Sequence, residues 1–197
     1  MSKNIRTLLK ALLPVIYLPI ALCITWPGIT ALSNHVLGRM GGDNYEHVWY
    51  LWWLGTTLFD NTIGNPANIT VLNYPHGIES PLNLTHTPAL LLPAVIGWFT
   101  SPVIAYNIAI CIIPAINGLG MYLLAKELTS NHWAAFIGGL LFGFSPYVFG
   151  HMQAGHVSQI TMLGFPLFAL FLIRLLNTNT WKYAALTGIA GFLSVAH

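Results

Sequence analysis

Residues 101–125, SPVIAYNIAICIIPAINGLGMYLLA, contain no charged side chain. Because a helix needs about 20 apolar residues to cross the hydrocarbon core of a bilayer, this stretch predicts a transmembrane helix. The whole chain has the same character. Of its 197 residues 55% are hydrophobic and only 6% are charged, whereas a soluble domain carries about 25% charged residues. The composition predicts an all-α, multi-pass membrane protein and excludes a disordered chain.

The charge and cysteine counts exclude two further classes. The formal net charge is +2, which is too small to predict nucleic-acid binding. The two cysteines, Cys23 and Cys111, both lie in apolar runs, so they do not form a disulfide framework.

Other apolar runs predict further spans. Residues 11–32, 133–150 and 157–173 are each free of charge, and residues 183–197 begin another apolar run. We therefore expect about five transmembrane helices in a single domain covering residues 1–197. Pro14, Pro19 and Pro27 predict a kink in the first helix, which membrane helices tolerate. Because the last run has no far end, we expect the chain to be the N-terminal portion of a longer protein.

Residues 87–100 are apolar but too few to cross the bilayer. If they do not cross and the N-terminus is cytoplasmic, six of the seven Lys and Arg residues are cytoplasmic and only Arg39 is outside. If they do cross, Lys126, Arg174 and Lys182 move outside. The first arrangement follows the positive-inside rule. It predicts an interfacial or re-entrant helix at 87–100, and a protein of the plasma (inner) membrane whose first loop faces the periplasm or the exterior.

The first external loop, residues 33–86, is longer than a connection requires. Tyr45, Val48, Trp49, Trp52 and Trp53 recur in it at helical spacing. They predict an amphipathic helix over about residues 44–59, with the Trp-rich stripe at the bilayer interface and Tyr50 on another face.

Asp43 stands just before this helix, and Glu46 follows three residues later. That spacing is typical of a capping box, with Asp in place of the usual Ser or Thr. The alternative is a carboxylate held at the membrane surface as a general base or as a ligand of a divalent cation such as Mg²⁺ or Mn²⁺. The residues leave both readings open.

The second external loop contains a short helix signal and two histidines. Ser145 is predicted to cap a helix that has Pro146 in its first turn. His151 and His156 lie five residues apart, which is poor spacing for two ligands on one helical face, and Gly150 and Gly155 argue against a regular helix there. They are candidate metal ligands together with Asp43, candidate partners of phosphate or sugar hydroxyls, or interfacial histidines.

Several short motifs occur in an order that is typical of a known family of membrane proteins. The segments are GDN (42–44), VWYLWW (48–53), NYPHG (73–77), AYN (105–107), GLGMYLLAK (118–126), FSPY (144–147), His151 and GH (155–156). In this order they resemble GT-C-type membrane glycosyltransferases, and in particular bacterial relatives of the dolichyl-phosphate-mannose mannosyltransferases. The likeness runs over nearly the whole chain.

The resemblance implies a hexosyltransferase that takes a sugar from a polyprenyl-phosphate carrier at the outer leaflet. Asp43 matches the acidic residue that serves such enzymes as catalytic base or as helper of a cation. Asn44 stands where family members often carry a second acidic residue, so Glu46 is the nearest further carboxylate. The candidate residues for binding the substrate and its phosphate are Arg39, His47, Tyr147, His151 and His156.

Two other functions fit a membrane protein of this composition. A transporter or flippase for lipid-linked sugars would also bind a lipid phosphate, but transporters usually keep ionisable residues near the bilayer midplane. A structural membrane subunit would use the aromatic loop as a docking surface.

Overall fold

The computed structural model describes residues 12–60, 68–79 and 87–195. It confirms the predicted all-α class, with one two-residue antiparallel ladder as the sole sheet in these ranges. The helices are α1 (Tyr17–Ile24), α2 (Asn44–Gly55), α3 (Thr87–Phe99), α4 (Pro102–Thr129), α5 (His132–Gly143), α6 (Pro146–Ala154), α7 (Val157–Ile160), α8 (Gly164–Thr178) and α9 (Trp181–Val195). In the ladder, β1 (Asn68–Ile69) pairs with β2 (Ile78–Glu79).

Among the described residues, three helical stretches are long and apolar enough to cross a membrane. They are Pro102–Thr129, His132–Ala154 and Val157–Thr178. The predicted first span is not one continuous helix. A 3-10 turn at Leu13–Ile16 leads into α1, and a second 3-10 turn at Gly28–Ala31 follows a break at Pro27. Proline has no backbone N–H and cannot continue the hydrogen-bond ladder, so the expected kink is a full interruption.

The described residues divide into two compact units. The first contains residues 12–26, 111–150 and 160–195, and the second contains residues 27–60, 68–79, 87–110 and 151–159. In the first unit, Tyr17 is buried, its ring stacks on Phe136 at 5.2 Å, and its hydroxyl donates to the Phe136 carbonyl. A Cβ on Gly139 would strike the Gly118 carbonyl at 2.5 Å. Small residues therefore let α4 and α5 approach closely, as in many membrane bundles.

Two buried asparagines in α4 tie loops to this helix, one in each unit. In the first unit, Asn117 donates to the Ile160 carbonyl at 2.6 Å and accepts from the Met162 N–H at 3.0 Å. In the second unit, Asn107 donates to the carbonyls of Leu32 and His35, both at 2.7 Å, and accepts from the Leu37 N–H at 2.9 Å. The loop that leads into the site is therefore anchored by a side chain with no exposed surface.

In the second unit, α2 packs against α3. Leu90 and Ala94 of α3 are buried, and Gly55 of α2 lies against the Trp98 ring and the Ala94 carbonyl. Helix α3 has 13 residues, and at 1.5 Å per residue it measures roughly 20 Å, less than the hydrocarbon core. The short helix predicted at 87–100 is thus present.

The orientation predicted for α2 was partly wrong. The helix starts at Asn44 as expected and continues through a π-helical turn to Asp60. However, Tyr50, which we placed away from the apolar stripe, is buried together with Leu51, Trp53 and Leu54. Tyr45 and Trp52 of the stripe are 57% and 40% exposed, and contact of the stripe with the bilayer interface stays a prediction.

Candidate functional site

The site is built around the C-terminal end of α6. Contrary to expectation, the helix runs through Gly150 and His151 and ends where Gly155 adopts a left-handed conformation, with φ +85°. The Gly155 N–H bonds to the Met152 carbonyl at 3.2 Å, and the His156 N–H bonds to the His151 carbonyl at 3.0 Å. These two bonds define a Schellman motif, in which the residues five apart come together.

The two histidines occupy the paired positions of that motif. Their Nδ1 atoms lie 2.7 Å apart and their ring centroids 5.0 Å apart. One proton therefore lies between the two nitrogens. The five-residue spacing, which is poor for one helical face, is the spacing that a helix ended by glycine requires.

The loop before α2 closes on the same helix end. The Arg39 and Asp43 N–H groups donate to the carbonyls of Gln153 and Ala154, at 2.6 and 2.9 Å. These carbonyls have no partner inside the helix, so the loop satisfies them. The fit needs two glycines. A Cβ on Gly42 would lie 2.7 Å from the Ala154 oxygen, and a Cβ on Gly155 would strike the Asn44 backbone.

The Asp43 carboxylate is thereby placed beside His156. His156 Nε2 lies 3.1 Å from Asp43 Oδ2, with the side chains 27% and 56% exposed respectively. Asp43 occupies the N-cap position of α2, yet its side chain makes no capping hydrogen bond. The capping interpretation was therefore wrong, because the carboxylate turns to the histidine. The result is a hydrogen-bonded chain from Asp43 through His156 to His151.

The metal interpretation grouped these three residues correctly, but their geometry is that of a hydrogen-bonded chain. Two nitrogens bound at about 2.0–2.1 Å to one tetrahedral ion would be roughly 3.3 Å apart, and the Nδ1 atoms here are at 2.7 Å. Across residues 12–60, 68–79 and 87–195, no group of three or more His, Cys, Asp or Glu side chains is arranged to hold a metal ion.

Asp43 also lines a groove of about 420 Å³. Its polar wall comes from the start of α2 and from Gln159, and its apolar wall comes from α3 and the β1–β2 segment. The lining residues are Asp43, Glu46, His47, Trp49, Tyr50, Ile69, Leu72, Ile78, Leu90 and Gln159. The lining of one groove thus combines carboxylates with hydrocarbon.

The predicted site residues fall into four places. Asp43, Glu46 and His47 line the groove, and His47 Nδ1 donates to the Asp43 carbonyl at 2.9 Å. His151 and His156 stand behind Asp43 and support it. Arg39 is exposed in the preceding loop outside the lining set, and Tyr147 belongs to the first unit. Phosphate binding by these residues stays a prediction.

Several groove residues were not expected from the sequence. Gln159, Ile69, Leu72, Ile78 and Leu90 carry no motif. Ile69, Leu72 and Ile78 come together because β1 and β2 fold back around a turn. The signal for that turn was visible in Tyr74-Pro-His-Gly77. The Gly77 N–H bonds to the Asn73 carbonyl at 3.1 Å, and Gly77 has φ +73°. The turn signals at 65–66 and 80–81 lie outside the described residues.

Comparison with known proteins gives no neighbour. No family model, no curated protein and no solved structure matches the chain.

Proposed function

We propose that the protein is a membrane glycosyltransferase that moves a sugar from a polyprenyl-phosphate carrier to an acceptor hydroxyl on the outer face of the membrane. The observation that carries the proposal is the Asp43 carboxylate, which lines an amphiphilic groove and is held by His156 at 3.1 Å. A site that handles a lipid substrate needs both polar and hydrocarbon lining, and this groove has both. A hydroxyl nucleophile needs a fixed base within hydrogen-bond reach.

The reaction is a displacement at the anomeric carbon. The acceptor oxygen bonds to that carbon, its proton passes to the Asp43 carboxylate, and the bond from the sugar to the carrier phosphate breaks with its electron pair on the phosphate. Because Oδ2 faces His156, Oδ1 is the oxygen that takes the proton. The hydrogen bond from His156 fixes the carboxylate plane and removes the need to reorganise it during the reaction.

The proposed topology has about five spans, a cytoplasmic N-terminus and an outward-facing site in the plasma (inner) membrane. Two contacts support it. Asp43 and His156 come from separate segments that the charge distribution places outside, and they meet. Glu127 and Arg174 come from segments that it places inside, and they form an ion pair at 2.7 Å.

The test is turnover of the Asp43→Asn variant in membrane vesicles supplied with polyprenyl-phosphate sugar. Asn keeps the size of the side chain but removes the base, so turnover should fall by roughly 10²-fold or more. Asp60→Asn is the matched control, since Asp60 lies on the same segment outside the groove lining. Full activity in a correctly folded Asp43→Asn protein would contradict the catalytic assignment and favour a transporter or a structural subunit.

A further inference from the structure

The ionisable residues that line the groove do not suit a phosphate ligand. Asp43 and Glu46 are its ionisable acids, and no Lys or Arg occurs among the described residues that line it. A phosphate ester is anionic, and like charges at short range disfavour binding. The groove is therefore a poor binding site for the phosphate of the carrier.

The polar wall instead matches hydroxyl groups. Glu46 and Asp43 accept hydrogen bonds, while Gln159 has both an acceptor and two donors. His47 also lines the groove, and its Nδ1 donates to the Asp43 carbonyl. Acceptors in excess of donors suit a ligand whose many O–H groups must be satisfied.

The other lining residues suit the apolar parts of a ligand, namely a flat apolar face and a hydrocarbon chain. Trp49 lines the groove, and its ring packs on the Trp53 ring at 6.4 Å with ring planes 9° apart, which holds it in place. Ile69, Leu72 and Ile78 of the β1–β2 segment continue as hydrocarbon, and Ile78 and Leu72 are 42% and 39% exposed. Covering them with a hydrocarbon chain removes apolar surface from water.

We infer that this groove is the acceptor subsite, and that it takes a lipid with an uncharged polyhydroxylated headgroup, the chemical class of an alkyl glycoside. The inference rests on the proposed function, whose acceptor hydroxyl it places beside Asp43. The hydroxylated head lies against Asp43, Glu46 and Gln159. The chain of the lipid lies along Leu72 and Ile78. The phosphate of the donor binds elsewhere.

The experiment uses three photoreactive probes with the same diazirine-bearing alkyl chain and different heads: glucoside, phosphate and trimethylammonium. Each is added to the protein in lipid nanodiscs, and crosslinks to the segment that carries Ile69, Leu72 and Ile78 are quantified by mass spectrometry. We expect the glucoside to label this segment most strongly. Equal or stronger labelling by the phosphate or the trimethylammonium probe would overturn the inference.

Two variants sharpen the result. Glu46→Gln removes a charged acceptor, whose hydrogen bond to a hydroxyl is worth about tenfold in affinity. It should weaken glucoside labelling about tenfold and strengthen phosphate labelling, and a change in the same direction for both heads would contradict the assignment. Leu72→Trp fills the apolar end and should abolish glucoside labelling of the segment. Met40→Ala, at an exposed position outside the groove, should leave it unchanged.

The outcomes separate this inference from the proposed function. If the glucoside fails to label the groove while Asp43→Asn still abolishes sugar transfer, the acceptor assignment is wrong and the function stands. If Asp43→Asn keeps full transfer activity, the function is wrong regardless of the labelling pattern.

Discussion

His156 contacts Asp43 with one ring nitrogen and His151 with the other, at 3.1 and 2.7 Å. In the neutral imidazole only one nitrogen carries a proton, so donation from Nε2 to the carboxylate leaves Nδ1 as an acceptor. In that tautomer His151 Nδ1 donates to His156 Nδ1. The chain then runs from His151 through His156 to Asp43, and its carboxylate end is the one that lines the groove.

This direction predicts that His156 acts through Asp43. His156→Ala should lower sugar-transfer turnover about ten- to a hundredfold, the worth of one hydrogen bond to a charged group. In the Asp43→Asn background the same change should cost almost nothing further, because residues that act as one unit are not additive. The measurement is a double-mutant cycle on turnover, and additive losses would show that the two residues act independently.

Gly150 inside α6 and Gly155 just after its end give a matched pair for stability. Gly155→Ala forces a left-handed conformation that costs roughly 1–2 kcal/mol for a residue with a Cβ, and the new Cβ also strikes the Asn44 backbone. Gly150→Ala, in the helix with no atom within 4 Å of its Cβ, should stabilise by about 0.5–1 kcal/mol. Thermal unfolding in nanodiscs compares them, and equal melting temperatures would contradict the Schellman geometry.

The anchoring role of Asn107 predicts a large effect of its loss. Asn107→Leu would leave the carbonyls of Leu32 and His35 and the Leu37 N–H without their partner. Because these groups are only partly buried, the variant should be destabilised by about 1–3 kcal/mol, roughly the cost of one unsatisfied buried group. Asn34→Ala, at an exposed position of the same loop, should change stability by less than about 0.5 kcal/mol. Similar melting temperatures for the two variants would argue against the anchor.

The proposed orientation predicts a labelling pattern. In a background where Cys23 and Cys111 are replaced, single cysteines at positions 35 and 79 should react with a membrane-impermeant thiol reagent added outside intact cells. A cysteine at 127 should react only after permeabilisation. Labelling of both 35 and 127 from outside would mean that α3 crosses the membrane after all.

The all-α class, the apolar spans and the short helix α3 follow from the sequence alone, because they depend on local properties. Residues 101–125 contain no charged side chain, so this stretch suits the hydrocarbon core of a bilayer whatever its neighbours in the fold are. The start of α2 at Asn44 was equally readable, since Gly41, Gly42 and Asp43 form a turn before an apolar run. The Schellman pairing of His151 with His156 also depends on a local pattern. His156 lies five residues after His151 and directly follows Gly155.

The buried face of α2 and the partner of Asp43 were decided only by the tertiary structure. Tryptophan spacing favours one stripe, but in the folded protein Tyr50 is buried and Trp52 is partly exposed. Likewise, a carboxylate before a helix can cap it or turn away. His156, more than a hundred residues later in the sequence, draws it away, because Gly42 and Gly155 let two loops approach closely. Whether the Asp43 carboxylate caps α2 or bonds to His156 depends on which segments pack together, and the residues around Asp43 do not determine that.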